Sequence, residues 1–333
     1  MPAIKTQGWL PIGITFDRLP AIASDAKVRW IEIGSERIAE PFLEHTIARL
    51  RERTPTTKEI DTPLDTLIQF GKRLPAVRPA GMIFHVSHCG STLLANAMRT
   101  AEEAAVISES RAITSVLRPY AEPPGNYLRQ RWDRTRRDLL DALFATHACC
   151  RTGEPEKLII KCTSVDILSM PLVRAWWPDV PCVVVVRDPI EVLVANLVGG
   201  WWMDLKRNPA LARDILPWTA DISLDDIGDE EYCARVLAEL QRAALVALDG
   251  NCRVIDYEDL SSQRMRQLGE FFGLRLPYDP QEFLAPLRWY SKDPARKLPF
   301  RDDRQEKRKL ATQSVIDAAA RWARPTYEEL RTH

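Results

Sequence analysis

The stretch 82–98, Met-Ile-Phe-His-Val-Ser-His-Cys-Gly-Ser-Thr-Leu-Leu-Ala-Asn-Ala-Met, constrains this chain more than any other. It opens on an apolar run of strand length, residues 82–86, and turns through Ser87-His88-Cys89-Gly90. From Ser91-Thr92 the spacing becomes helical: Leu93, Leu94, Ala97 and Met98 share one face that can lie on a sheet. Ser91 or Thr92 can cap that helix, and Gly90 permits close backbone approach or a positive φ. A strand, a tight turn and a helix N-terminus gather unpaired N–H groups at the positive end of the helix dipole. The pattern therefore predicts that a phosphorylated ligand binds at residues 87–92. The competing reading is a plain β-to-α turn with a Ser/Thr cap.

The same loop excludes a chemistry. An ATP- or GTP-type P-loop reads GxxxxGK[ST], with its Lys reaching the terminal phosphates. Here Gly90 precedes Ser91, and no Lys lies between Gly81 and Met98. Ordinary NTPase chemistry is disfavoured.

Beyond residue 81, short apolar runs alternate with helical segments, which predicts an α/β fold with a mainly parallel sheet. The runs are 82–86, 104–107, 158–160, 182–186 and 253–255, and their continuous apolar character fits strands covered on both faces. Ligands of such sheets sit beyond the carboxyl ends of the strands. Polar residues stand just past every run: His88 with Ser91-Thr92, Glu109, Lys161 with Thr163-Ser164, Arg187-Asp188, and Glu258-Asp259. Five such ends in register with a phosphate loop predict one site.

The loop resembles the 5′-phosphosulfate loop of the sulfotransferases, Lys/Arg-Ser-Gly-Thr-Thr after a strand. His88 stands at the family's basic position, Cys89 at its Ser, and Ser91-Thr92 at its Thr-Thr. Residues 183–196 resemble the family's 3′-phosphate segment, a buried strand ending in Arg-Asp-Pro and followed by a helix. The resemblance implies that Arg187 grips a nucleotide 3′-phosphate, as a planar guanidinium can. The family's Ser, eight residues on, is here Ala195, with Asn196 next as a substitute. Residues 104–111 look like the Glu-containing segment of tyrosylprotein-type and several bacterial sulfotransferases, which makes Glu109 the implied general base and Arg111 its companion. A carboxylate capping a helix is the other reading of Glu109. Lys161-Cys162-Thr163 carries the Lys of the cytosolic branch, with Thr where that branch has its His. Residues 252–260 are similar to the family's Tyr-Glu-Asp-Leu segment, and Arg296-Lys297 to a late basic loop closing over the 3′-phosphate.

The resemblance covers roughly residues 80–310. It implies a P-loop-type three-layer domain over 81–333 that uses 3′-phosphoadenosine 5′-phosphosulfate (PAPS), releases PAP, and sulfates a hydroxyl or amine of a small-molecule acceptor. Glu109, His88 and Lys161 would be catalytic; residues 87–92, Arg187, Asn196, Arg296 and Lys297 would hold the nucleotide. Two rivals stay open. One is a phosphotransferase using ATP, with Ser91 or Thr92 and Asp188 around Mg²⁺; the other is a non-catalytic nucleotide-binding protein.

Lys+Arg and Asp+Glu both number 46, so charge predicts neither a nucleic-acid nor a membrane partner. No apolar run approaches the roughly 20 residues of a membrane helix, and the start lacks a signal peptide's apolar core. Seven cysteines without a CxxC pair predict reduced thiols in a cytoplasm. His85 and His88 have no third ligand nearby, so no metal is expected, and His85 is expected to face the sheet's packing.

Residues 1–80 read as a small N-terminal extension, a packing or dimerisation cap that would suit a homodimer, with no chemistry of its own. Residues 28–33 alternate like a strand, and 41–53 have helical periodicity. Thr62-Pro63 looks like a cap with Pro at the first helical position, and 72–79 like a linker. Gly199-Gly200-Trp201-Trp202 is either a hinged lid with an aromatic wall or buried aromatic packing. Residues 301–309 are either part of the basic loop or a solvated helix laced by ion pairs.

Overall fold

Every apolar run beyond residue 81 becomes a strand in the computed structural model, which describes residues 8–16, 26–53, 57–118, 126–154, 156–291, 293, 298–299 and 301–333. Two sheets form. The first is antiparallel, with strands β1 (Trp9–Thr15), β2 (Lys27–Glu32) and β3 (Glu59–Pro63) in sequence order. The second is parallel: β4 (Gly81–His85), β5 (Ala104–Ser108), β6 (Lys157–Lys161), β7 (Cys182–Val186) and β8 (Cys252–Asp256). Its spatial order is β5-β6-β4-β7-β8, so the chain reverses its direction of travel across the sheet between β4 and its neighbours. Open parallel sheets hold their ligands at such a point.

Right-handed crossovers put the connection leaving β4 for β5 on one face and the rightward ones on the other. Helix α3 (Ser91–Met98) accordingly packs against the helix Ser262–Phe271, while the helix Asp229–Ala247 packs against Met170–Trp176. β4 and β7 are buried along their whole length, as a strand covered on both faces must be.

The leading segment is less separate than its sequence suggests. Helix α1 (Leu43–Arg53) and helix α2 (Leu64–Gly71) follow β2 and β3, and α2 packs on the long helix α5 (Asn126–Cys149). β1 packs on α5 and on α4 (Arg111–Leu117), so its core is continuous with that of the parallel sheet. Thr62 and Pro63 do not begin a helix. They end β3, paired with Val28 and Lys27, and Thr62 Oγ1 accepts from Trp30 Nε1 at 2.9 Å. The ladder claims them first; Pro63 serves as the residue before α2.

Candidate active site

The carboxyl ends of β4, β5, β6 and β7 open into one cleft of about 600 Å³. Ser87, His88, Cys89, Gly90, Ser91, Thr92, Glu109, Lys161 and Arg187 all line it. The residues singled out past four of the five strands thus meet in one cleft, whereas Glu258 and Asp259, past β8, do not line it.

The loop is held open by strain and packing. Ser87 and His88 take positive φ values of 75° and 47°, and Gly90 takes 84°. Gly90 is also required sterically, because a Cβ there would lie 2.7 Å from the Tyr257 ring and 2.8 Å from Leu260. The Tyr-Glu-Asp-Leu segment therefore props the loop from behind. The first amide of α3 to find a carbonyl is that of Leu94, on Gly90 O at 3.1 Å. The amides of Ser91, Thr92 and Leu93 come before it, at the end of the helix where no intrahelical partner exists. Burial pushes the Cys89 thiol up, so it stays protonated.

His85 does more than fill the sheet. Ser87 N–H donates to its Nδ1 at 3.1 Å, which leaves the ring proton on Nε2, facing Cys162 O at 3.0 Å. Burial above all, then the charge of Lys161, holds the imidazole well below its usual range. This neutral ring ties the loop to the end of β6, and its Nε2 lies 3.8 Å from Glu109 Oε1.

Glu109 leaves β5 with φ 55°, and its N–H donates to Lys161 O at 2.8 Å. Lys161 Nζ donates to Glu109 Oε1. The Lys161 side chain is 1% exposed and that of Glu109 32%, so the ammonium is buried and the carboxylate faces the cleft. Phe42 closes the other side, with Lys161 Nζ 5.2 Å from its ring centroid. Arg111 turns away and pairs with Glu44 at 2.9 Å. The left-handed turn at Glu109 sends the chain into α4, whose first residue, Arg111, is exposed.

Arg187 is 3% exposed and fully engaged. Nε donates to Glu191 Oε2 at 2.7 Å, Nη1 to His88 O at 2.8 Å and Nη2 to Asp303 Oδ1 at 2.6 Å. Its guanidinium carbon stands 4.1 Å from the Tyr257 ring centroid. Asp303 Oδ2 also meets Lys307 Nζ at 2.8 Å. Burial would raise the Asp303 carboxyl, but the hydrogen bonds from Lys307 and Arg187 outweigh it and hold it below the aspartate range.

Asn196 is not on the cleft. It is fully buried in the helix Pro189–Gly199, Nδ2 donating to Val192 O at 2.9 Å, beneath Gly200, whose added Cβ would meet Asn196 Oδ1 at 2.3 Å. Its Oδ1 is buried without a hydrogen-bond partner. Arg296 and Lys297 lie outside the described residues. The Gly-Gly-Trp-Trp segment divides: Trp202 is buried, whereas Gly199, Gly200 and Trp201 line the cleft. Residues 301–309 are no free solvated helix, since Arg301, Asp303 and Lys307 line the cleft and Arg308 reaches Glu191 at 2.7 Å.

The sequence reading passed over His85, Phe42 and Asp303 as site residues, and named Tyr257 and Lys307 only as members of the segments 252–260 and 301–309. Only His85 carried a signal: a titratable residue inside an apolar strand run needs a buried partner.

Among the described residues no group of three metal-ligating side chains occurs, and no helix is long and apolar enough to cross a membrane. All seven cysteines are free thiols. No family model matches the chain, and no curated protein matches it. Among solved structures it is similar to the sulfotransferase domain from the curacin biosynthetic pathway, with a TM-score of 0.42 and 15% identity over 74% of this chain and 97% of that one. It is also similar to a sulfotransferase from Alicyclobacillus acidocaldarius, with a TM-score of 0.38 and 14% identity over 77% of this chain and 99% of that one. Likeness at this level assigns no role to any residue here.

Proposed function

We propose that the protein moves a sulfuryl group from PAPS to a hydroxyl or amine of an acceptor, leaving PAP. The observation that carries this is the convergence, in one cleft, of a phosphate loop without a P-loop Lys, a deep Arg and a Lys-paired carboxylate. The residues suit such a donor at its 5′ end, where the amides at the head of α3 can take phosphate oxygens. At the 3′ end they suit it once Asp303 leaves, because a carboxylate already bridges the two cations, Arg187 and Lys307, that a phosphate would bridge. What the donor supplies is an activated sulfuryl group.

In the step itself, a bond forms between the acceptor atom and sulfur while the bond from sulfur to the 5′-phosphate oxygen breaks. The acceptor's proton passes to Glu109, whose carboxylate faces the cleft. Lys161, released from Glu109 as that group is neutralised, can turn its charge towards the leaving phosphate. The loop amides and His88 face the same charge; one such donor is worth on the order of 100- to 1000-fold in rate. His85 keeps Ser87 N–H out of this work and fixes where the loop begins.

The engaged state of Arg187 favours one other reading, a protein that binds a nucleotide without turning it over. Calorimetry with PAP, AMP, ATP and coenzyme A, followed by transfer assays from labelled PAPS, tests both. PAP preferred over AMP, with transfer to an acceptor, is the expected result. PAP binding without transfer selects the second reading, and Mg²⁺-dependent ATP turnover overturns both.

A further inference from the structure

The cleft that holds Glu109 and Lys161 is also lined by apolar side chains. Phe42 lies beside Lys161, and Val165, Trp201, Leu211 and Ile215 line the same cleft. Val165 and Ile215 are buried; the other three are half-buried. An acceptor whose nucleophile reaches Glu109 can bury an apolar body against these residues.

A guanidinium in the same cleft has an N–H without a counterpart. Arg118 follows the last residue of α4 and lines the cleft; its Nε is buried without a hydrogen-bond partner. Of the Lys and Arg residues that line the cleft, Lys161, Arg187 and Lys307 each hold a carboxylate. Among the described residues only Arg118 and Arg301 do not, and Arg301 stands near Asp303 and Lys307 on the nucleotide side. A partly buried guanidinium with an orphaned N–H is satisfied best by a planar carboxylate that takes two N–H groups at once.

Helix α4 sets the spacing. Glu109 stands just before its capping residue Ser110 and Arg118 just after its last turn. Eight helical steps span about 12 Å, and helical side chains lean back towards the N-terminus, so the two functional groups sit on the order of 10 Å apart.

We infer that the acceptor is an apolar, elongated molecule with a hydroxyl at one end and a carboxylate roughly 10 Å away, read by Arg118. This rests on the sulfuryl-transfer reading for the hydroxyl end, while the carboxylate end can be tested without turnover. The bonds made and broken are those of that reaction, and Arg118 takes no proton.

The test uses 6-hydroxy-2-naphthoate and 4′-hydroxybiphenyl-4-carboxylate against 2-naphthol and 4-hydroxybiphenyl. Binding to the full chain is measured by calorimetry with and without saturating PAP, and sulfation is measured from labelled PAPS. The carboxylates should bind 10- to 100-fold more tightly than their neutral partners, the worth of a charge-assisted pair. Arg118→Gln should erase that preference while PAP affinity and the melting temperature hold; Arg118→Lys, which keeps charge without the fork, should keep part of it. Equal binding of acids and neutral phenols, a preference that survives Arg118→Gln, or no binding of either acid overturns the inference. Carboxylate binding that depends on Arg118, in a protein that ignores PAP, would uphold the Arg118 site and sink the sulfuryl-transfer reading instead.

Discussion

Replacing Asp303 with Asn should make the protein bind PAP more tightly. In the free protein Asp303 bridges Arg187 Nη2 at 2.6 Å and Lys307 Nζ at 2.8 Å, so a 3′-phosphate must displace it. A buried charge-assisted bond is worth about 1.5–3 kcal/mol. The Asp303 side chain is 42% exposed, however, and water screens such a pair towards about 0.5–1 kcal/mol per contact. Two contacts therefore oppose the ligand by about 1–2 kcal/mol, and removing the charge should tighten PAP about 5- to 30-fold. Asn keeps the shape, and Arg187 keeps its bonds to Glu191 and to His88 O, so the fold should survive. AMP, which has no 3′-phosphate, should change less than about twofold on the same reasoning. Because Arg187 and Lys307 hold the Asp303 carboxyl below its ordinary range, the bridge stays ionised down into acid pH, and calorimetry at pH 7 reads it intact. The reasoning is refuted by unchanged or weaker PAP binding at an unchanged melting temperature, or by an equal gain for AMP.

Three other outcomes follow from the same geometry. Glu109→Gln should spare PAP affinity and lower turnover about 100- to 10,000-fold, the worth of positioned proton transfer; wild-type rates in a labelled-PAPS assay would remove Glu109 from the chemistry. A bound phosphate raises a neighbouring His above its ordinary value of about 6.5, so PAP affinity should fall as pH rises through that raised value, and His88→Lys should flatten the fall; a fall that persists in His88→Ala refutes the role. Burial pushes Asp166 up to about 6, against the hydrogen bonds from Thr163 N–H and Thr114 Oγ1. The unfolded chain releases that proton near 3.8, the native one near 6, so stability is lost as pH rises between them, by on the order of 3 kcal/mol. Urea melts of Asp166→Asn should lack that slope, and an unchanged slope would place the titration elsewhere.

The five parallel strands were readable because a strand covered on both faces leaves a nearly unbroken apolar run, as residues 182–186 do. The loop was readable because φ 84° and the nearby Tyr257 ring leave Gly90 no substitute. Partnerships were less visible, because they depend on strand order. β6 lies between β5 and β4, which sets Lys161 beside Glu109 and the loop, while the residue nearer in sequence, Arg111, pairs with Glu44. Phe42 was invisible for the same reason: nothing in residues 1–80 tells that β1 docks on α4 and α5 and carries that segment to the mouth of the cleft. Asn196 lies off the cleft because a short amide on a helix can donate one turn back, as Nδ2 does to Val192 O, while its Oδ1 stays buried and unpartnered. In the late charged segment the cations were expected at the nucleotide end and the acid was not. Asp303 occupies Arg187 because a buried cation left empty costs more than one neutralised from its own chain.

Among the described residues the non-glycine positions with positive φ are Ser87, His88 and Glu109, and all three line the cleft. Each such residue costs on the order of 1–2 kcal/mol against a relaxed conformation, which glycine would avoid. Strain of this kind persists only where the surroundings over-determine it. Here each strained residue is tied to a different element: Ser87 N–H to His85 Nδ1, His88 O to Arg187 Nη1, and Glu109 N–H to Lys161 O. Those three ties run from β4, β7 and β6, so the packing of the buried sheet holds the loop and the base in conformations the local chain would not choose. A turn that served only to connect strand to helix would relax at no loss. That this one does not, and that its strained residues include the proposed base and the loop's basic position, argues for a ligand site over a plain β-to-α turn.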